Sequence, residues 1–247
     1  MMQPAVITHT QPTGHLAVEW LDVRFDPVLE NRTQLTWLPW IGCRFGSYPL
    51  RTMILGESTY NWKPGEETVL NRIARRDHLR VLHKNHALNF ERQSKYVRNI
   101  ERAVFGVRRP SATAKSAFWL GTVYHNLVLR PMASQKHRPS EQDYAQGWAE
   151  ALSLMELLAV DQCLVYGLES TKLAALRQVC IESNYALIAL PSLEKVGKST
   201  PRAFTLTKGS YSVKLLFIRH PSAYFSWKGW ARIIRTTMVL EHFDEAG

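Results

Sequence analysis

Residues 51–60 read Arg-Thr-Met-Ile-Leu-Gly-Glu-Ser-Thr-Tyr. A short apolar run ends at Gly56, and polar Glu57, Ser58 and Thr59 follow at once. Such a run has the length of a fully buried strand, and the polar turn behind it has the composition of a functional loop. Three further stretches share the form: Asp161–Gly167 (DQCLVYG), Tyr185–Leu190 (YALIAL) stopped by Pro191, and Tyr211–Arg219 (YSVKLLFIR) stopped by His220-Pro221-Ser222. Helical patterns separate them. Ser116–Arg130 reads as a buried aromatic helix, and Ser140–Val160 as a long helix with a Ser-Glu-Gln-Asp capped start. Glu169–Ser183 and Ser226–His242 read as two more. Leu16–Phe25 alternates like an edge strand, and Ser192–Thr205 has the composition of a loop. Buried strands alternating with helices predict an α/β fold: a three-layer α/β/α sandwich around a mostly parallel sheet, with the ligand at the strands' carboxyl ends. The 247 residues are expected to form one domain.

The chain carries 31 Lys+Arg against 21 Asp+Glu, a net charge of +10. The excess is local. Arg72–Arg109 holds 11 basic and 3 acidic residues. Val69, Ile73, Leu79 and Leu82, and then Tyr96, Ile100 and Val104, keep helical spacing. The expectation is a pair of amphipathic helices at about 68–110 with basic wet faces, Arg75, Arg76 and Arg80 among the cations. A charge run is commonly an ordinary solvated helix face, but so single-signed a face repels itself unless a polyanion docks on it, and a nucleic acid is the expected partner.

Other classes lose ground. No stretch has the length and apolarity of a membrane span; Ala151–Val160 is broken by Ser153 and Glu156. The first residues lack the form of a secretory signal, and a cytoplasmic location is expected. Cys43, Cys163 and Cys180 are far apart, with no CxxC pair, so no four-cysteine zinc or iron–sulfur site is available. No metal and no other cofactor is expected, nor any obligatory protein partner. GKST at Gly197–Thr200 lacks the glycine a P-loop needs five residues earlier, where Ser192 stands, and Pro201 interrupts the helix that should follow.

Three positions carry candidate chemistry. Glu57 closes a strand, where a carboxylate can activate water or steady a cation. His220 closes another, where an imidazole can donate to an oxyanion. Asn126 lies among apolar residues, and its amide offers a donor and an acceptor to a base edge.

Gly56-Glu57-Ser58-Thr59-Tyr60, then Asn126, then His220-Pro221-Ser222 with Ala223-Tyr224-Phe225-Ser226 together resemble the uracil-DNA glycosylase superfamily. The resemblance spans about residues 51–240 and rests on these short motifs. It implies an α/β/α sandwich that flips a nucleotide out of DNA and hydrolyses its N-glycosidic bond without a metal. Position by position it implies Glu57 as the water-activating carboxylate and Asn126 as the reader of the pyrimidine edge. His220 would steady charge on the leaving base. Tyr60 would wall the base pocket beside Ser58, and Tyr224 and Phe225 would form the wedge, with Ser222 nearby. The best-known branch has Asp-Pro where Ser58-Thr59 stand here. That departure points away from plain uracil, toward another damaged or a hypermodified pyrimidine such as glucosylated hydroxymethylcytosine in phage DNA, which would make the protein an antiviral enzyme. Uracil excision in repair is the alternative substrate reading. A catalytically silent DNA-binding module on the same fold is the alternative without chemistry.

Overall fold

The computed structural model describes residues 19–60, 65–89, 94–134, 136–222 and 224–246. Seven strands form one sheet in the order β1-β3-β2-β4-β7-β6-β5. They are β1 (Trp40–Ile41), β2 (Thr52–Gly56), β3 (Thr122–Asn126), β4 (Gln162–Tyr166), β5 (Ala186–Ala189), β6 (Arg202–Lys208) and β7 (Tyr211–Ile218). The four central strands β3-β2-β4-β7 are parallel. β1 at one edge and the β5–β6 pair at the other are antiparallel. β2, β3 and β4 are buried along their whole length, as expected of strands covered on both faces.

Successive side chains of a strand point to opposite faces, so each strand feeds two cores. Met53, Leu55, Val123, Val165 and Phe217 pack on one face with Trp148, Met155, Leu173 and Leu176. Those residues belong to α6 (Glu141–Leu157) and α7 (Ser170–Glu182). Ile54, Tyr124, Leu164, Tyr166 and Ile218 pack on the other with Val97, Ile100, Phe118, Trp230 and Ile234. These come from α4 (Lys95–Phe105), α5 (Ala112–Leu120) and α8 (Trp227–Thr237). The three-layer α/β/α arrangement is therefore as expected. So is the start of α6: Ser140 and Asp143 cap each other reciprocally.

Several elements differ from the sequence reading. Ser116–Arg130 is not one helix. α5 stops at Leu120, Gly121 turns, and β3 begins, which puts Asn126 at a strand end and not within a helix. A continuous apolar run has no period that separates helix from strand; β-branched Thr122 and Val123 behind a glycine were the signal. The loop read over Ser192–Thr205 is shorter, because β6 starts at Arg202 and returns through Gly209, at φ +58°, into β7. The basic region makes three helices, α2 (Glu67–Ala74), α3 (His78–Ala87) and α4, where two were expected. The break falls at Arg75, whose backbone is extended. Residues 16–18 of the expected strand Leu16–Phe25 lie outside the described residues; Leu21 forms a lone bridge with Gly42, and Val23–Phe25 is a 3₁₀ turn capped by Asp22. A short helix α1 (Asp26–Glu30) follows. Among the described residues no helix is long and apolar enough to cross a membrane.

Candidate active site at the strand ends

From β2 the chain moves to β3 on one side and later returns to β4 on the other. The crevice outside the carboxyl ends of β2 and β4 is therefore the topological switch point, where open α/β sheets bind ligands. Gly56 is in register with Asn126. The pairing continues past both strands: Leu127 donates its N–H to the Gly56 carbonyl (3.0 Å), Val128 to Glu57 (2.8 Å) and Met132 to Thr59 (2.8 Å). These bonds fix the Glu57–Tyr60 turn against the segment after β3. The Asn126 Oδ1 accepts from the Tyr124 hydroxyl (3.1 Å), and its Nδ2 donates to Thr59 Oγ1 (3.0 Å). One N–H and one oxygen lone pair of the amide are left over. Position 56 has no room for a side chain, because a Cβ there would collide with Asn126 Oδ1 and the Tyr124 hydroxyl.

Glu57 is buried and faces the α6–α7 side. Its Oε1 receives three donors: Tyr144 Oη at 3.1 Å, Lys172 Nζ at 3.2 Å and Arg138 at 3.5 Å. Oε2 takes none of them. The Lys172 ammonium is fully buried. It donates to the Tyr166 carbonyl (2.6 Å) and pairs with Glu169 (2.9 Å), which Arg138 also reaches at 3.1 Å. Gly167, at φ +96°, leaves the space that Lys172 and Glu169 fill. Burial pushes the Glu169 carboxyl up, but Lys172 and then Arg138 outweigh it and hold the pKa below the ordinary value. Burial, together with Glu57 and Glu169, raises the Tyr144 phenol, so it stays a donor.

His220 lies two residues beyond β7 and is half-buried. The Ser222 N–H donates to its Nδ1 at 3.2 Å, and the Ser222 hydroxyl lies 2.8 Å from the same nitrogen. A backbone N–H can only donate, so Nδ1 holds the lone pair and the neutral ring carries its proton on Nε2. Desolvation lowers the imidazole pKa; nearby Glu57 works against this and Lys172 with it. Asn99 on α4 ties down the turn by donating to the Pro221 carbonyl at 2.7 Å. Beyond it Tyr224 projects into solvent, 91% exposed, at φ +50°. A bulky residue in that left-handed region is strained. Phe225 instead stacks on Trp230, with ring centroids 5.8 Å apart.

The residues read from the sequence are thus sorted by the sheet. Asn126 and His220 belong to the face that carries α4 and α8. Glu57 belongs to the opposite face and reaches the rim from there. The Ser58 hydroxyl is buried with no partner among the described residues. Tyr60 is half-buried against the α6-side core and bridges Met132 through its backbone. Of the three named arginines, Arg75 pairs with Asp77 (2.6 Å), and Arg76 is exposed and donates to the Leu29 carbonyl (3.1 Å). Arg80 is a correction. It is buried, forks onto Asp26 (2.6 and 2.8 Å) and donates to the Pro39 carbonyl, so it serves the fold and faces no phosphate.

Lys172, Tyr144, Glu169 and Arg138 were not read from the sequence, and Thr59 was read only as part of the polar turn. Lys172 had a signal: it lies four and seven residues before Leu176 and Val179, a lone cation on a helix's apolar stripe. Tyr144 and Arg138 had none, because they approach Glu57 from 81 or more residues away. Among the described residues no group of three or more His, Cys, Asp or Glu is placed to hold a metal ion. A groove of about 530 Å³ lies beside the site, between α7 and the β5–β6 connection, and none of the site residues lines it. The chain matches no protein-family model and no curated protein.

Proposed function

We propose that the chain is a DNA glycosylase that hydrolyses the N-glycosidic bond of a flipped pyrimidine and leaves an abasic site. The observation that carries this reading is that the Asn126 amide and His220, whose Nδ1 accepts from the Ser222 N–H, stand on one face of the carboxyl rim, with the Glu57 carboxylate at the end of β2 beside β3. When the bond from C1′ to the base nitrogen breaks, its electron pair leaves with the base and positive charge grows on the sugar. Stabilising both ends lowers the barrier. The His220 Nε2–H donates to the base oxygen that gains charge. The spare donor and acceptor of Asn126 hold the pyrimidine edge. Glu57 Oε2, with Oε1 pinned by Tyr144, Lys172 and Arg138, orients the water that adds to C1′ and takes its proton. Exposed Tyr224 fills the gap left by the flipped nucleotide, and its stacking offsets part of the cost of flipping. Exposed cations of α2–α4 grip phosphates and set register without reading sequence.

The changed turn Ser58-Thr59 supports a base other than uracil, and a hypermodified cytosine of phage DNA is the substrate class we favour. Mass spectrometry of the bases released from uracil-containing duplex and from phage DNA bearing glucosylated hydroxymethylcytosine tests it. A modified cytosine from the second substrate is expected. Release of uracil alone would place the protein in repair. One observation favours a second reading, a DNA-binding module without chemistry: Glu57 is already neutralised by a fully buried lysine. Glu57→Gln and Asn126→Ala separate the two, since only a glycosylase has base release to lose while DNA binding survives.

A further inference from the structure

The groove of about 530 Å³ between α7 and the β5–β6 connection opens on the same rim as the strand-end site but is built from other residues. Ser170, the first residue of α7, lines it directly after Glu169 of the Glu57–Lys172 cluster. Its far wall is the end of β5 and the start of β6, held together by the Leu190 N–H bond to the Ala203 carbonyl (2.9 Å). Thr200 closes one side, so the Gly-Lys-Ser-Thr stretch that fails as a P-loop forms part of this rim. Leu173, Leu190 and Phe204 give the lining an apolar wall. Arg177 and Arg202 also line it, both exposed, and among the described residues neither guanidinium meets a carboxylate. A concavity of this size suits a small ligand. Two unpaired guanidiniums select a phosphate through forked, charge-assisted hydrogen bonds, and an apolar wall beside them suits a base or sugar.

We propose that this groove is a second binding site, for a nucleotide phosphate, with Arg177 and Arg202 as its cationic contacts. It stands independently of the base-excision reading. The phosphate has two sources to distinguish, a free nucleotide or a unit of a DNA strand. The test uses the full chain and the double variant Arg177→Gln/Arg202→Gln. Thymidine 5′-monophosphate, thymidine and a short single-stranded oligothymidylate are titrated against each by calorimetry. The monophosphate is expected to bind the wild type. In the double variant its affinity should fall by about tenfold or more, and thymidine should bind no better than the monophosphate does there. Unchanged thermal melting of the double variant, whose two replaced side chains are exposed, shows that the fold is intact. An oligonucleotide that binds more tightly than the monophosphate and is weakened by the same double substitution assigns the site to the strand; equal affinities assign it to the free nucleotide. Equal monophosphate affinity in wild type and double variant, or no binding of either phosphate-bearing probe, would overturn the proposal.

Discussion

His220 and Tyr224 show how single residues are held for use. The imidazole is neutral because its surroundings disfavour charge, and its tautomer is set by the Ser222 N–H. The proton that matters is therefore on Nε2 at any pH above a pKa that lies below the ordinary 6.5. Raising pH does not remove it. Lowering pH past the depressed value adds a second proton and a positive charge, which alters the site. We predict single-turnover base release that is level from about pH 8 to about pH 6.5 and falls only below that. A decline that begins well above 6.5 would mean His220 titrates normally and is not the group proposed. Tyr224 gives an opposite pair of effects. Tyr224→Gly relieves the strain at φ +50°, so stability read by urea denaturation should rise by about 1 kcal/mol. Base release from duplex should fall, while release from a single strand, which needs no wedge, should survive. Equal losses on both substrates would argue against the wedge role.

At the scale of elements, α3 shows why a charge count overstates a binding face. Arg80 is one of 11 cations between Arg72 and Arg109, but its guanidinium is 5% exposed and binds Asp26 on α1. Arg80→Ala leaves that carboxylate without its cation and should cost about 3 kcal/mol of stability, read by urea denaturation, with DNA affinity of the folded protein unchanged. A selective loss of DNA affinity would restore Arg80 to the interface. β2, β4 and β7 were legible because each is a short apolar run with a stop signal behind it. β3 was hidden because α5 and β3 together make one unbroken apolar stretch, and only Gly121 marks the join. The start of β6 was hidden because Pro201 and the polar residues before it look like loop. The same logic divides the site. Glu57 and His220 announce themselves as polar residues directly behind strands. Tyr144 and Arg138 reach Glu57 only through tertiary packing, which no local pattern encodes.

Across the whole molecule, the face carrying α3–α5 and α8 encloses polar groups that burial keeps uncharged. His83 stacks on Tyr124 at 4.6 Å between Trp40 and Trp119, and its pKa is pushed down to about 3. Burial also lowers His125, on the opposite face, to about 4. Both folded values lie below the ordinary 6.5 of the unfolded chain, so the unfolded state takes up more protons as pH falls. Stability should be level above about pH 7, then decline below 6.5 by up to about 1.4 kcal/mol per pH unit for each histidine. His125's share ends near pH 4 and His83's near pH 3. His83→Phe should flatten the slope by one proton, measured from urea midpoints between about pH 7 and about pH 5; an unchanged slope would mean His83 is charged in the fold. The same rigid scaffold brings three strand ends to one rim, which we propose breaks a glycosidic bond. The most direct test is to incubate the wild type, Glu57→Gln and His220→Ala with uracil-containing duplex and with DNA bearing glucosylated hydroxymethylcytosine. Free base is then measured by mass spectrometry, and DNA binding alongside it. The wild type is expected to release one pyrimidine, and each variant to release it slower by about a hundredfold or more with binding retained. Base release that is absent from the wild type on both substrates, or equal in all three proteins, would rule out base excision at this rim.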